Sequence, residues 1–197
     1  EENILMNTFM LKYAHLNDVE RFIGMISTCA YPDKVDHYPM EETDLLNGPP
    51  SVTNLSYAYA KRIMAIQIEN YNKQYGKYWN YLIPCNLYGE YDEFDEFKSH
   101  MVSALIKKIY EADDSINLLG SGKPFRQFMY AKDLARVIKI IIDKDIYNSL
   151  NVSPPENFTI SDIAKIGIKA CDKEYLEINW DSSKPDGQFR KDVTSKN

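Results

Sequence analysis

The stretch SYAYAKR, Ser56–Arg62, decides how the chain is read. A tyrosine, Tyr57, stands four residues before a lysine, Lys61. On a helix that spacing sets the phenol and the ammonium one turn apart on the same face. With 15 Tyr in 197 residues, chance alone places about one Tyr-x-x-x-Lys pair, so the pair gains meaning only from its surroundings.

Around it, the residues from about Asn54 carry an apolar stripe at Ala60, Met64, Ile68, Tyr71 and Tyr75, which predicts a long helix. Gly76 supplies its stop. Upstream, residues 3–14 read as a helix, RFIGMIS (Arg21–Ser27) as a buried strand, and Pro32–Thr53, with NGPP at Asn47–Pro50, as a loop. Downstream, YWNYLIPCNLYG (Tyr78–Gly89) reads as a strand running into a turn, and Met101, Leu105 and Ile109 mark a helix. INLLGSG (Ile116–Gly122) is a strand ending in a glycine turn, and FRQFMY (Phe125–Tyr130) is a short strand. Asp133 opens a helix with Leu134, Val137, Ile138 and Ile141 on one face. SLNVS (Ser149–Ser153) and EINWD (Glu177–Asp181) are strands, and Thr159 with Asp162 forms a capping box for a helix over Ile160–Cys171. Strands alternating with helices predict an α/β fold with parallel pairing.

The composition narrows the function classes. A net charge of -6 and 44% hydrophobic residues argue for a cored protein and against a general nucleic-acid binder. No run of 18 apolar residues predicts a membrane span, and the first residues lack the basic start and apolar block of a signal peptide. Cys29, Cys85 and Cys171 fit neither a disulfide framework nor a zinc spacing, so reduced thiols in the cytoplasm and no metal site are expected.

Thirty residues before Tyr57, the first strand ends in STCAYP and places Ser27 at a strand's carboxyl end, where open α/β sheets bind ligands. A hydroxyl there and a helix-borne Tyr/Lys pair form a set able to reduce a ketone. Ser27 holds the carbonyl oxygen, Tyr57 gives it a proton, and Lys61 pulls the phenol pKa toward the working pH.

The segments STCAYP, YAYAKR, IPCNLYG, GSGKPFRQFMYAKDLA and SSKPDGQFRK occur in the order and approximate spacing of one family, and by them the chain resembles the GDP-L-fucose synthase family of extended short-chain dehydrogenase/reductases. The resemblance implies an NADP(H)-dependent epimerase-reductase that acts on a GDP-4-keto-6-deoxy sugar, inverting C3 and C5 and then reducing C4. It implies catalytic roles for Ser27, Cys29, Tyr57, Lys61 and His100, with Cys29 and His100 as the acid/base pair at C3 and C5. It implies cofactor contacts from Ser27, Thr28, Tyr57, Lys61, His100 and the run Pro84, Cys85, Asn86 and Leu87. Substrate contacts would come from Lys108, Leu119, Arg126 and Asp186. A homodimer built on the helix of Tyr57 and the helix before Ser27 is implied as well, with no nucleic-acid or membrane partner. A 4-epimerase or 4,6-dehydratase is the alternative within the superfamily. Dehydratases carry a Thr-Asp-Glu-like pair where this chain has Ser-Thr-Cys, which favours the epimerase-reductase.

The expected architecture is an incomplete NAD(P)-binding Rossmann fold plus a small α/β substrate-binding domain. Residues 1–88 form the remaining cofactor part. Residues 89–197 form mainly the substrate part, with a strand near 149–153 returning to the Rossmann sheet. Two βαβ units and their glycine-rich turn are expected upstream of residue 1, since Gly120–Gly122 is followed by Pro124 and not by a helix. The chain is therefore read as the catalytic half of a longer protein, weak in NADPH binding alone and sticky along an open sheet edge. The other possibility is a non-catalytic remnant acting as a dimerisation module. Within the resemblance, Lys108 replaces an arginine, Leu119 a tryptophan, and GEYDEF (Gly89–Phe94) a less acidic loop. His15 and His37 are read as structural, Cys85 and Cys171 as core, and Glu90–Glu96 as a solvated loop. Arg126, within an apolar strand, is expected to find an anionic partner.

Overall fold

A computed structural model describes residues 1–95 and 98–196. Glu96 and Phe97, the end of the acidic run, lie outside the described residues. Helix α1 (Glu2–Leu16) precedes strand β1 (Ile23–Met25), and a long loop leads to α2 (Leu55–Tyr75). Gly76 ends α2 in the left-handed conformation, φ 63°, which a residue without Cβ adopts freely.

The central sheet is parallel. Strand β2 (Asn80–Pro84) lies between β1 and β7 (Leu150–Val152). Every residue of β2 is buried, as a central parallel strand requires. Its side chains alternate between two cores. Tyr81 and Ile83 join Met64, Ala65 and Ile68 of α2, with Leu11 and Ala14 of α1. Leu82 joins Leu134 and Ile141 of α4 (Ala131–Asp143) on the other face. Helix α2 lies so close to the sheet that a Cβ on Gly24 would meet Ile68 at 2.7 Å. Met25 is level with Leu82, and Pro84 with Val152, so the carboxyl ends of all three strands finish along one edge. No helix among the described residues is long and apolar enough to cross a membrane.

Two predicted strands are each broken in two. The run after Tyr78 is interrupted at Cys85, and its second part, β3 (Asn86–Tyr88), leaves the central sheet to pair with β6 (Phe128–Tyr130). FRQFMY is interrupted at the buried Gln127, whose amide accepts the Val193 N–H at 2.9 Å and donates to Pro154 O at 3.0 Å. Its first part, β5 (Phe125–Arg126), pairs antiparallel with β8 (Phe158–Thr159). A side chain that bonds the backbone of other segments in this way ends a strand without any turn signal.

Strands β4 (Ser115–Leu119) and β9 (Glu177–Asp181) pair in parallel beneath α3 (Met101–Glu111) and α5 (Ile160–Ala170), which close a third core around Leu105, Ile109, Ala164 and Ile168. The Thr159/Asp162 capping box at the start of α5 is formed in both halves, at 3.0 Å each. The stripe on α2 is buried at Ala60, Met64 and Ile68, but Tyr75 stands exposed near the helix end. Helix α4 opens at Ala131, two residues before Asp133.

Candidate active site

Ser27 lies two residues past β1, in extended backbone. Its Oγ accepts the Cys29 N–H at 3.2 Å and opens a single 3-10 turn over Thr28–Ala30. That short-range bond shapes the turn that leaves Ser27 and Cys29 half-buried at the carboxyl edge. Across from them, α2 presents Tyr57 and Lys61.

The Tyr57 phenol lies near Ser27 and Cys29. Its pKa stands above the ordinary tyrosine value. Burial is the largest cause, the Cys29 sulfur adds to it, and the neighbouring Ser27 hydroxyl offsets part of the rise. The expectation that Lys61 pulls this phenol down is therefore corrected. Lys61 Nζ donates to the Met25 carbonyl at 2.7 Å and lies 5.7 Å from the centre of the Tyr57 ring, and its own pKa is lowered by burial. The ammonium thus bonds the strand end while lying over the Tyr57 ring.

Cys29 is half-buried, and its sulfur accepts a hydrogen bond from Lys191 Nζ at 3.3 Å. Lys191 is itself buried. Sequence reasoning missed it, because 162 residues separate the pair and no periodicity marks the segment. In the structure it heads a run, Lys191–Thr194, in which every residue is buried, and nothing in the order of residues signals this.

Arg126 on β5 also bears on Cys29. Burial lowers its pKa, and Cys29 and Asp186 are the opposing charges nearby. The anionic partner expected for it is not a salt bridge: the guanidinium donates to Phe125 O at 2.7 Å, and among the described residues it forms no ion pair. Asp186 accepts the Ser121 N–H at 2.6 Å and the Ser121 hydroxyl at 2.7 Å, which hold its carboxyl below the usual range. The glycine turn Gly120–Gly122, with φ 82° and 73°, thus grips a carboxylate of its own chain.

The run after Ser27's neighbouring strand completes this edge. Cys85 donates its N–H to Val152 O at 3.1 Å, and burial pushes its thiol up to about 12. Asn86 Nδ2 donates to Gln127 O at 2.8 Å. Pro84 is buried at the end of β2, Leu87 is exposed on β3, and Thr28 is buried beside the serine.

Two groups of predicted residues stand apart from this cluster. Lys108 and Leu119 line a cleft of about 190 Å³ between α3, β4 and the start of α5, together with Met101, Ala104, Leu105 and Ile160. Lys108 Nζ donates to Asn117 O at 2.9 Å. His100 is the exposed N-cap of α3, and among the described residues no hydrogen bond joins its side chain to Ser27, Cys29 or Tyr57.

A parallel sheet with Ser27 at its carboxyl edge and Tyr57 and Lys61 on the covering helix defines the class. The chain belongs to the NAD dependent epimerase/dehydratase family, whose profile matches residues 1–153. It is similar to the probable GDP-L-fucose synthase of Drosophila melanogaster, 32% identical over 98% of this chain and 64% of that protein. The GDP-L-fucose synthase of Dictyostelium discoideum is 34% identical over 98% of this chain and 62% of its own length. In three dimensions the chain matches a GDP-L-fucose synthetase from Naegleria fowleri bound to NADP, with a TM-score of 0.89 and 32% identity, covering 98% of this chain and 63% of that one. The chain thus spans less than two thirds of the length of these relatives.

Proposed function

We propose that this chain carries the catalytic half of an NADPH-dependent epimerase-reductase that converts GDP-4-keto-6-deoxy-D-mannose to GDP-L-fucose. The observation that carries the reading is the meeting of Ser27 and Cys29, joined by the Cys29 N–H to Ser27 Oγ bond, with the Tyr57 phenol at the carboxyl edge of the sheet. The similarity to fucose synthases over 98% of the chain supports the choice of sugar nucleotide.

The residues present suit the nicotinamide end of the cofactor. Lys61 would hold the ribose and Pro84–Leu87 would wall the ring, while Ser27, Thr28 and His100 would complete its surroundings. Among the described residues, the turn Gly120–Gly122 leads to a strand and is filled by Asp186, so it does not serve the pyrophosphate. When bound, NADPH supplies the hydride for C4.

The chain's own groups handle the protons. Ser27 donates a hydrogen bond to the C4 oxygen, and Tyr57 transfers its proton there. The phenol is protonated in the chain by itself, and efficient transfer needs its pKa nearer the working pH, so bound cofactor and substrate would have to bring it down. The C4 ketone acidifies the C–H bonds at C3 and C5. Cys29 and His100 would exchange protons there from opposite faces, and groups that work on opposite faces need no contact with each other. Arg126, Lys108, Leu119 and Asp186 would hold the nucleotide.

The exposed side chains Leu5, Phe9 and Tyr13 follow one another at four-residue steps on α1, with Tyr59 and Ile66 exposed on α2. We assign this apolar face to a second copy of the chain.

The deciding experiment compares the parent with Cys29→Ser, given the GDP-4-keto sugar and NADPH in D2O. The variant is expected to reduce C4 while losing deuterium uptake at C3 and C5. Uptake at C3 and C5 that persists in the variant would remove the reading.

A further inference from the structure

Lys61 and Arg62 are consecutive on α2, and their side chains reach the two ends of the loop that carries Ser27 and Cys29. Lys61 Nζ donates to Met25 O at 2.7 Å, and Arg62 Nε donates to Ala30 O at 2.6 Å. Only Ile26, Ser27, Thr28 and Cys29 lie between those carbonyls. Arg62 is 6% exposed, and its Nη1 donates to Gly48 O at 2.7 Å, which ties the following loop to the same point.

The acceptors are main-chain carbonyls. Among the described residues no carboxylate pairs with Arg62, its Nη2 has no hydrogen-bond partner, and the guanidinium carbon lies 5.7 Å from the Tyr59 ring centre. Burying a guanidinium without a counter-ion is costly, and an apolar side chain of similar volume would fill the space more cheaply. What the planar fork adds is direction, since it holds two carbonyls in fixed orientations from one rigid group. The loop needs such a brace, because its internal bonds are few: Ala30 N–H to Ser27 O at 2.9 Å, Tyr31 N–H to Thr28 O at 3.3 Å and Cys29 N–H to Ser27 Oγ at 3.2 Å.

We propose that Arg62 is a positioning residue, acting through the Ala30 carbonyl to hold Ser27 and Cys29 in register with Tyr57. One helix then carries both the phenol and the brace for the groups that face it. The role rests on the proposed catalytic reading, but its main test needs no substrate.

The test compares the parent chain with Arg62→Met and Arg62→Gln by amide hydrogen exchange and by timed iodoacetamide labelling of Cys29, both read by peptide mass spectrometry. In Arg62→Met the peptide over residues 26–31 is expected to exchange about tenfold faster, and Cys29 to label several-fold faster, while the β2 peptide stays at the parental rate. Arg62→Gln, which keeps one donor for Ala30 O, is expected to fall between the two, and it decides alone if the methionine variant does not fold. Parental rates in the loop, or an equal rise across loop and β2, would overturn the proposal in favour of no role or a purely structural one. In turnover assays the brace predicts a lower kcat at unchanged KM. A parent chain that turns over nothing would overturn the proposed reaction alone, with the positioning role still decided by exchange and labelling.

Discussion

The Lys191 ammonium lies 3.3 Å from the Cys29 sulfur, in a site where Lys191 is almost wholly buried. That hydrogen bond ties the sulfur to a side chain enclosed by the fold. Replacing Lys191 with Met removes the charge and keeps the length of the side chain. Without that tie the Cys29 side chain is freer, and iodoacetamide is expected to label it several-fold faster. Timed labelling with peptide mass spectrometry measures it, with Cys171 as the internal reference, and an unchanged rate would show that the ammonium does not act on the sulfur.

The fold is expected to weaken in alkali. Tyr31 is buried with its hydroxyl donating to Asn151 Oδ1 at 2.7 Å, and burial raises its pKa. Burial likewise raises Tyr81, beside Glu69, and lifts Cys85 from 9.0 to about 12. In the unfolded chain these groups release their protons near their ordinary values of 10.0 and 9.0. Above pH 9 the folded state holds protons that the unfolded state has lost. The stabilisation is complete below that point and falls as pH rises, by up to about 1.4 kcal/mol per pH unit for each such group. The urea midpoint should therefore be lower at pH 10.5 than at pH 8, and Tyr31→Phe should flatten the slope. A midpoint that holds steady over this interval would contradict the assignment.

Gly122 is required by both conformation and space. Its φ is 73°, and a Cβ there would lie 2.6 Å from the Trp180 ring. Its carbonyl also accepts the Ser161 N–H at 2.9 Å, near the start of α5. Gly122→Ala should destabilise the chain by about 2 kcal/mol or more, seen as a lower thermal midpoint. An unaltered midpoint would mean that the ring gives way without cost.

If the α1 face seats a second copy, a charge at its centre breaks the assembly. Phe9 is 50% exposed and lies between Leu5 and Tyr13. Phe9→Glu should shift the sedimentation coefficient from dimer to monomer without changing the far-ultraviolet circular dichroism. A parent that is already monomeric would remove the proposed interface.

Much of the fold was legible along the chain. The α2 stripe, its Gly76 stop, the capping box of α5 and the buried run of β2 depend on near neighbours, and near neighbours appear as spacing. The interruptions at Cys85 and Gln127 were not legible. They arise because Gln127 bonds the backbone at Val193 and Pro154, and because β3 leaves its sheet for β6. Tyr75 is exposed at the helix end, because a periodic stripe does not reveal where the covering partner stops.

The sequence by itself determined that a hydroxyl would end the first strand, that a phenol and an amine would share a helical face, and that a thiol would lie two residues past the hydroxyl. Short-range geometry suffices for each of these. Only the tertiary structure decided which charges those groups meet. Lys61 turns to the Met25 carbonyl, Lys191 reaches Cys29 from 162 residues away, and Arg62 braces Ala30. Electrostatic environment is a property of distance in space and of water excluded by packing, and neither can be read from order along the chain.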